Sequence, residues 1–183
     1  MNFNEKTIEV KKIFDGKIIK LELQTVELCN KNLAEREIIR HKGGVAVIPI
    51  TENNEIIMVR QFRKAFEEEL LEIPAGKIEH DEKPEVCAIR ELKEETGLSA
   101  DKISFMNVMY PSPGYTDEKI YIYKAEGLTE GDLSLDEDEF LNVEKYSLEQ
   151  AVEMVKTGIL KDAKSIIAIL LLSKSINISE NIL

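Results

Sequence analysis

The chain has 183 residues, with 24 basic side chains against 35 acidic ones and a formal charge of −11. That balance excludes a general nucleic-acid binder, which needs a basic face, while 43% hydrophobic content supplies a core for one domain with a small appendage at most. The same charge repels an anionic small substrate, so any such ligand has to be held by metal or by local arginines.

Cys29 and Cys87 match no metal-ligand spacing and read as free thiols of a reducing compartment. The opening MNFNEKTIEVKKIF lacks the apolar stretch of a signal peptide, and the longest apolar run, Ile166 to Leu172, is too short to span a bilayer. The expectation is a cytoplasmic enzyme or binding module without a membrane or nucleic-acid partner.

Three β-rich runs come first: KTIEVKKIFDG, KIIKLELQTVELC and EREIIRH, with turns at Gly16 and at Asn30-Lys31-Asn32. Ile19, Leu21 and Leu23 alternate with polar neighbours, the pattern of a half-exposed antiparallel strand. A sheet this small has to pack on the main domain or on a second subunit. Next, GGVAVIPIT and EIIMVRQF form strands around the turn at Glu52-Asn53-Asn54, the first apolar enough to be buried on both faces. The stretch Gly76 to Leu98 reads as a loop followed by a helix, with Pro84 in the first turn and Gly97 as the stop.

Strands follow at ISFMNVMY and EKIYIYKAEGL, separated by the loop PSPGYTD, and a short strand LNVEKY comes after the acidic loop SLDEDEF. Ser147 and Gln150 form a capping box for a helix to about Thr157, closed by Gly158. A last helix, from about Asp162 to Ser175, carries the apolar run, and NISENIL is expected to be a frayed tail. Strands and helices mix without βαβ alternation. The boundaries predict an N-terminal β-sheet domain over residues 1–42 and a main domain over 43–183.

The helix of the Gly76–Leu98 stretch raises the functional question. At about 100° per residue, Val86, Ile89, Leu92 and Thr96 share one arc, expected to face the core, while Ala88, Glu91 and Glu95 share nearly the opposite arc. Glu91 and Glu95 are like charges four residues apart, which disfavours a helix unless something positive lies between them. A run of this composition ordinarily forms a solvated face; divalent cations such as Mg²⁺ or Mn²⁺ are the alternative, because they prefer carboxylate oxygen.

The spacing decides between these readings. Gly76, Glu82 and the run Arg90-Glu91-Leu92-Lys93-Glu94-Glu95-Thr96-Gly97-Leu98 resemble the signature of the Nudix hydrolases, G-x5-E-x7-R-E-U-x-E-E-x-G-U with U aliphatic, at every specified position. The resemblance implies an α/β fold of the α+β kind, an α/β/α sandwich around a mixed sheet in which the signature forms a loop–helix–loop. It also implies hydrolysis of a diphosphate bond with divalent metal, Mg²⁺ or possibly Mn²⁺. On that resemblance, Glu91, Glu94 and Glu95 bind metal, Glu82 binds metal or supports the cluster, Arg90 orients the carboxylates, and Gly76 gives the turn that brings backbone close.

The flanks Leu71-Glu72-Ile73-Pro74-Ala75, Arg60-Gln61-Phe62-Arg63, Ser112-Pro113-Gly114 and Asp162-Ala163-Lys164-Ser165 resemble the ADP-ribose pyrophosphatase branch, including Pro113 sixteen residues past Gly97. That branch implies a homodimer with an exchanged N-terminal domain and a nucleotide-sugar substrate. It implies a metal ligand in the carbonyl of Ala75, substrate contacts from Arg36, Arg63 and Glu118, a general base in Glu137 and a further carboxylate near the metal in Glu139. His41 and His80 read as structural or solvated. Cys87 lacks an activating histidine, Met106 and Met109 read as core, and Phe14, Phe66, Tyr110 and Tyr115 stay open as the ring that stacks an adenine. Ranked behind ADP-ribose hydrolysis are another nucleoside diphosphate derivative such as NADH, a nucleotide sugar or a diadenosine polyphosphate, and a non-catalytic ADP-ribose sensor.

Overall fold

The structure, a computed structural model, describes residues 3–132 and 140–180. It divides into two compact units, Met1–Gly43 with Tyr110–Lys119, and Gly44–Met109 with Ile120–Leu183. The first is an antiparallel meander of β1 (Lys6–Asp15), β2 (Ile19–Glu27) and β3 (Leu33–His41). The β1–β2 register runs from Lys6 opposite Glu27 to Asp15 opposite Lys20, with bulges near Thr7 and Lys12. Lys31 takes the left-handed conformation, φ 71°, at the β2–β3 turn. The Tyr110–Lys119 loop is pinned to β3: Ile39 N–H donates to the Tyr115 carbonyl at 2.7 Å, and the Asp117 carboxylate accepts from His41 N–H at 2.9 Å and from Arg40 at 3.1 Å.

In the second unit, β4 (Gly44–Pro49), β7 (Ala75–Lys77), β8 (Leu98–Met109) and β9 (Ile120–Glu130) form a mixed sheet in the order β7-β4-β9-β8. Only β4 and β9 run parallel in it. A second, antiparallel sheet has the order β10-β5-β6, from β5 (Glu55–Arg63), β6 (Glu68–Glu72) and β10 (Leu141–Ser147). Every residue of β4 is buried, as its unbroken apolar run predicts. Its side chains alternate between two cores. Ala46 and Ile48 pack with Ile56, Met58, Ile122, Ile169 and Leu172, while Val45 and Val47 pack with Cys87, Ala88, Leu92 and Tyr123. The first core is roofed by α2 (Leu148–Lys156) and α3 (Ala163–Glu180), the second by α1 (Pro84–Thr96). The result is the expected sandwich, helix on either side of a mixed sheet.

The helix signals act as read. Pro84 opens α1, Gly97 closes it at φ 70°, and both bonds of the Ser147–Gln150 capping box are made. The last helix corrects an expectation: α3 continues to Glu180, through most of the segment expected to fray. Nothing between Ala163 and Glu180 is Gly or Pro, and Ile176 packs against the first core, so the helix has reason to continue. Strands β6 and β7 were not anticipated, and β8 starts directly after the Gly97 cap, five residues earlier than the apolar pattern indicated. Leu172, on α3, is 1% exposed in the first core; Leu172→Ala should cost about 2–5 kcal/mol of unfolding free energy, measured by chemical denaturation.

Candidate active site

The buried face of α1 is the reverse of the one its apolar residues suggest. Val86 and Ile89 are 53% and 52% exposed, whereas Glu91 and Glu95 are 7% and 3% exposed. Cys87, Ala88 and Leu92 make the close packing against β4 and β9, and the carboxylates share that inward side. The expected arc of Val86, Ile89, Leu92 and Thr96 is thus corrected: of these four only Leu92 is fully buried. Cys87, Ala88 and Leu92 suffice to seat the helix, so the apolar positions with the best periodicity are free to face outward.

Buried carboxylates need donors, and the signature supplies them. Arg90 donates from Nε and Nη2 to Glu82 at 2.9 and 3.0 Å, and from Nη1 to Glu91 and Glu94, both at 2.8 Å. Its Nη2 also reaches the Lys77 carbonyl at 3.2 Å, tying the fork to β7. Glu82 accepts in addition from Glu79 N–H at 3.0 Å. With Arg90 foremost among these partners, the Glu82 carboxyl is held to about 2, and the guanidinium is pushed further up by the same bonds. Glu95 is anchored separately, accepting from Ala75 N–H at 2.9 Å.

Gly76 makes this arrangement possible in a way other than a turn. It lies in β7 opposite Val45, and a Cβ there would fall 1.9 Å from the Glu91 carboxyl. What the position requires is the absence of a side chain, a cradle that the Glu91 carboxylate fills. Cys87 is buried, its thiol pushed up by that burial, as an inert core residue should be.

The donor chemistry suits a hard divalent cation: Glu82, Glu91, Glu94 and Glu95 lie on or beside one helix face, with the Ala75 backbone next to them. In the described structure, Glu82, Glu91 and Glu94 are turned toward Arg90, and no three acidic, histidine or cysteine side chains among the described residues close on one point as a ligand set. Glu137 and Glu139 lie outside the described residues.

The remaining predicted residues have partners of their own. Arg63, at the end of β5, forms a side-on pair with the buried Glu72, Nε to Oε1 and Nη2 to Oε2, both at 2.7 Å. Arg36 and Glu118 belong to the first unit, where Arg36 pairs with Glu5 at 2.6 Å and Glu118 lies 3.4 Å from His41 Nδ1. Glu72 and Lys164, which pair with each other, are functional candidates that the sequence pattern does not single out. Glu72, an acidic residue within the otherwise apolar Leu70-Leu71-Glu72-Ile73-Pro74, was the available signal, and Lys164, in a polar stretch, carried none.

An acidic helix clamped by one arginine on a mixed sheet defines an α/β/α sandwich with a carboxylate cluster on its inner helix face. The model of the NUDIX domain matches residues 40–168, and the chain belongs to the Nudix family. It is 46% identical over 170 residues to the ADP-ribose pyrophosphatase of Bacillus subtilis (strain 168), covering 92% of each chain. It is 45% identical over 169 residues to the methanol dehydrogenase activator of Bacillus methanolicus, covering 91% of each. A crystal structure of an ADP compounds hydrolase shares the fold, with TM-score 0.85 at 22% identity over 97% of both chains.

Glu72 gives the site a testable pH signature. Burial pushes its carboxyl up, but the Arg63 bond and the Lys164 charge outweigh it and hold the group below the usual carboxylate range. A lowered folded value means its stabilising effect is complete above the unfolded value of about 4.3 and is lost as pH falls through the folded value. Urea titrations between about pH 5 and 3 should therefore show a shallower acid limb in Glu72→Gln than in the wild type.

Proposed function

We propose that the chain hydrolyses the diphosphate bond of ADP-ribose, giving AMP and ribose 5-phosphate, with Mg²⁺ or Mn²⁺ held by Glu91, Glu94, Glu95, Glu82, Glu139 and the Ala75 carbonyl. The observation carrying this reading is the complete signature folded so that Glu91 and Glu95 are buried on the inner face of α1. The name and close similarity of the Bacillus subtilis relative support the substrate. A divalent cation, when bound there, supplies positive charge against the diphosphate and acidity to a neighbouring water.

The protein's own groups do the rest. Arg90 holds Glu82, Glu91 and Glu94 in a common orientation, and Ala75 N–H fixes Glu95. Arg63 offers phosphate oxygens the geometry of a guanidinium fork. Glu137 takes the proton of the attacking water, water adds to phosphorus, and the bond from phosphorus to the bridging oxygen breaks, releasing the two monophosphates.

We also propose that the chain works in the cytoplasm as a homodimer exchanging its N-terminal sheet, residues 1–42, with Arg36 and Glu118 contributing to substrate binding. Exposed Ile8, Val10, Ile13 and Phe14 on β1 support pairing, and exposed, unpaired Cys29 supports a reducing compartment. No helix among the described residues is long and apolar enough to cross a membrane.

A substrate panel with Mg²⁺ tests the reading: ADP-ribose should release AMP faster than NADH, diadenosine polyphosphates or other nucleotide sugars. Preference for another of these replaces the substrate, and no turnover of any of them points to a sensor. Glu95→Gln and Glu137→Gln should each lower kcat more than about a hundredfold without unfolding the protein; an unchanged kcat in Glu137→Gln moves the base elsewhere. Gly76→Ala should displace Glu91 and lower activity at least about tenfold, with a melting shift of only a few degrees. Sedimentation of a single chain at 20.8 kDa at micromolar concentration would remove the dimer.

A further inference from the structure

The second unit buries another charged chain, which links the ends of β5 and β6 to the start of α3. Glu72, at the end of β6, is 2% exposed, and Lys164 at the start of α3 is buried beside it. Lys164 Nζ donates to Glu72 Oε2 and, at 2.9 Å, to Asp162 Oδ1. Asp162 Oδ2 accepts from the Ser165 hydroxyl and from its backbone N–H at 3.0 Å, which caps α3. Ser165 Oγ in turn accepts from Ile73 N–H at 2.8 Å.

Stability alone does not explain such a chain, because well-packed apolar replacements for buried ion pairs are often neutral or better. Its more exposed end is informative. The Arg63 side chain is 39% exposed; its Nε and Nη2 are committed to Glu72, and its Nη1 bonds to no described residue. Glu72 stands three residues before Ala75, whose N–H holds Glu95, so this end is joined through Ile73 and Pro74 to the α1 cluster. An arginine held along one edge by a fixed carboxylate presents the other edge in a set plane.

We propose that Lys164 is a positioning residue: acting through Glu72, it fixes the plane of the Arg63 guanidinium so that its open edge meets a phosphate of the substrate, without itself touching substrate. Arg63 alone would leave the Glu72 carboxylate free to swing about its stem. A second donor on Oε2, itself tied to Asp162, removes that freedom. The connecting segment is fixed too. Ile73 N–H is bound by Ser165, the Pro74 carbonyl accepts from Val47 N–H at 2.8 Å, and Ala75 N–H holds Glu95. Lys164 therefore sets the distance between the phosphate-binding arginine and the carboxylate cluster, where an error of about 1 Å costs on the order of a hundredfold in rate.

The inference rests on the reading of Arg63 as a phosphate-binding residue, and a double-mutant cycle separates the two. Steady-state kinetics are measured for wild type, Arg63→Ala, Lys164→Met and the double variant, on whichever nucleotide the panel selects, with ADP affinity by calorimetry as a second readout. Lys164→Met should lower kcat/KM about tenfold or more, and weaken ADP binding, in the wild-type background. In the Arg63→Ala background it should change both by less than about twofold. Glu72→Gln keeps the side-chain volume and carries the same prediction, so it replaces Lys164→Met if that variant does not fold. Losses that multiply, or a Lys164→Met enzyme with wild-type kinetics beside an impaired Arg63→Ala, overturn the positioning role alone. Full activity in Arg63→Ala overturns the role of Arg63 and this inference together.

Discussion

The burial of two like-charged carboxylates on the inner face of α1 is the constraint around which the second unit is arranged. Glu91 and Glu95 are far less exposed than Val86 and Ile89 on the same helix. Left without donors, each would cost several kcal/mol. Arg90 and the Ala75 N–H meet that cost, and both depend on β7, which offers the Lys77 carbonyl to Arg90 and the Ala75 amide to Glu95. The three residues of β7 thus matter out of proportion to their number: they bring backbone where a side chain would collide with Glu91.

The sandwich separates stability from chemistry. Strand β4 sends Ala46 and Ile48 into the larger core under α2 and α3, and Val45 and Val47 into the smaller one under α1. The larger core can stabilise the unit while α1 carries a surplus of negative charge that disfavours its own helix. The exposed Val86 and Ile89 fit this division, since seating α1 needs only Cys87, Ala88 and Leu92.

The elements were largely legible because their punctuation is local: Pro84 and Gly97 around α1, the Ser147–Gln150 box before α2, and the apolar run of β4 all act within a few residues. The orientation of α1 was not, because periodicity assigns the core face by hydrophobicity, and here donors outside the helix reverse the assignment. Strands β6 and β7 were missed because their pairing partners, β5 and β4, supply what their short segments do not show alone. The membership of the carboxylate cluster was readable from spacing. The Arg63–Glu72–Lys164–Asp162 chain was not, since Arg63 and Glu72 are 90 or more positions from Asp162 and Lys164 and meet them only in the fold.

The two charged networks differ in balance, and the difference bears on what each can do. In the α1 cluster, Glu82, Glu91, Glu94 and Glu95 face one arginine, a surplus of negative charge that favours a cation and opposes an anionic substrate on its own. In the other, two cations alternate with two carboxylates and no net charge remains to draw a phosphate in. Attraction is therefore not what the second network supplies. An arginine whose charge is already balanced still contributes the direction of its open N–H groups, and direction is what an in-line displacement at phosphorus requires. One network accumulates charge where a metal can neutralise it, and the other gives up charge to hold a geometry.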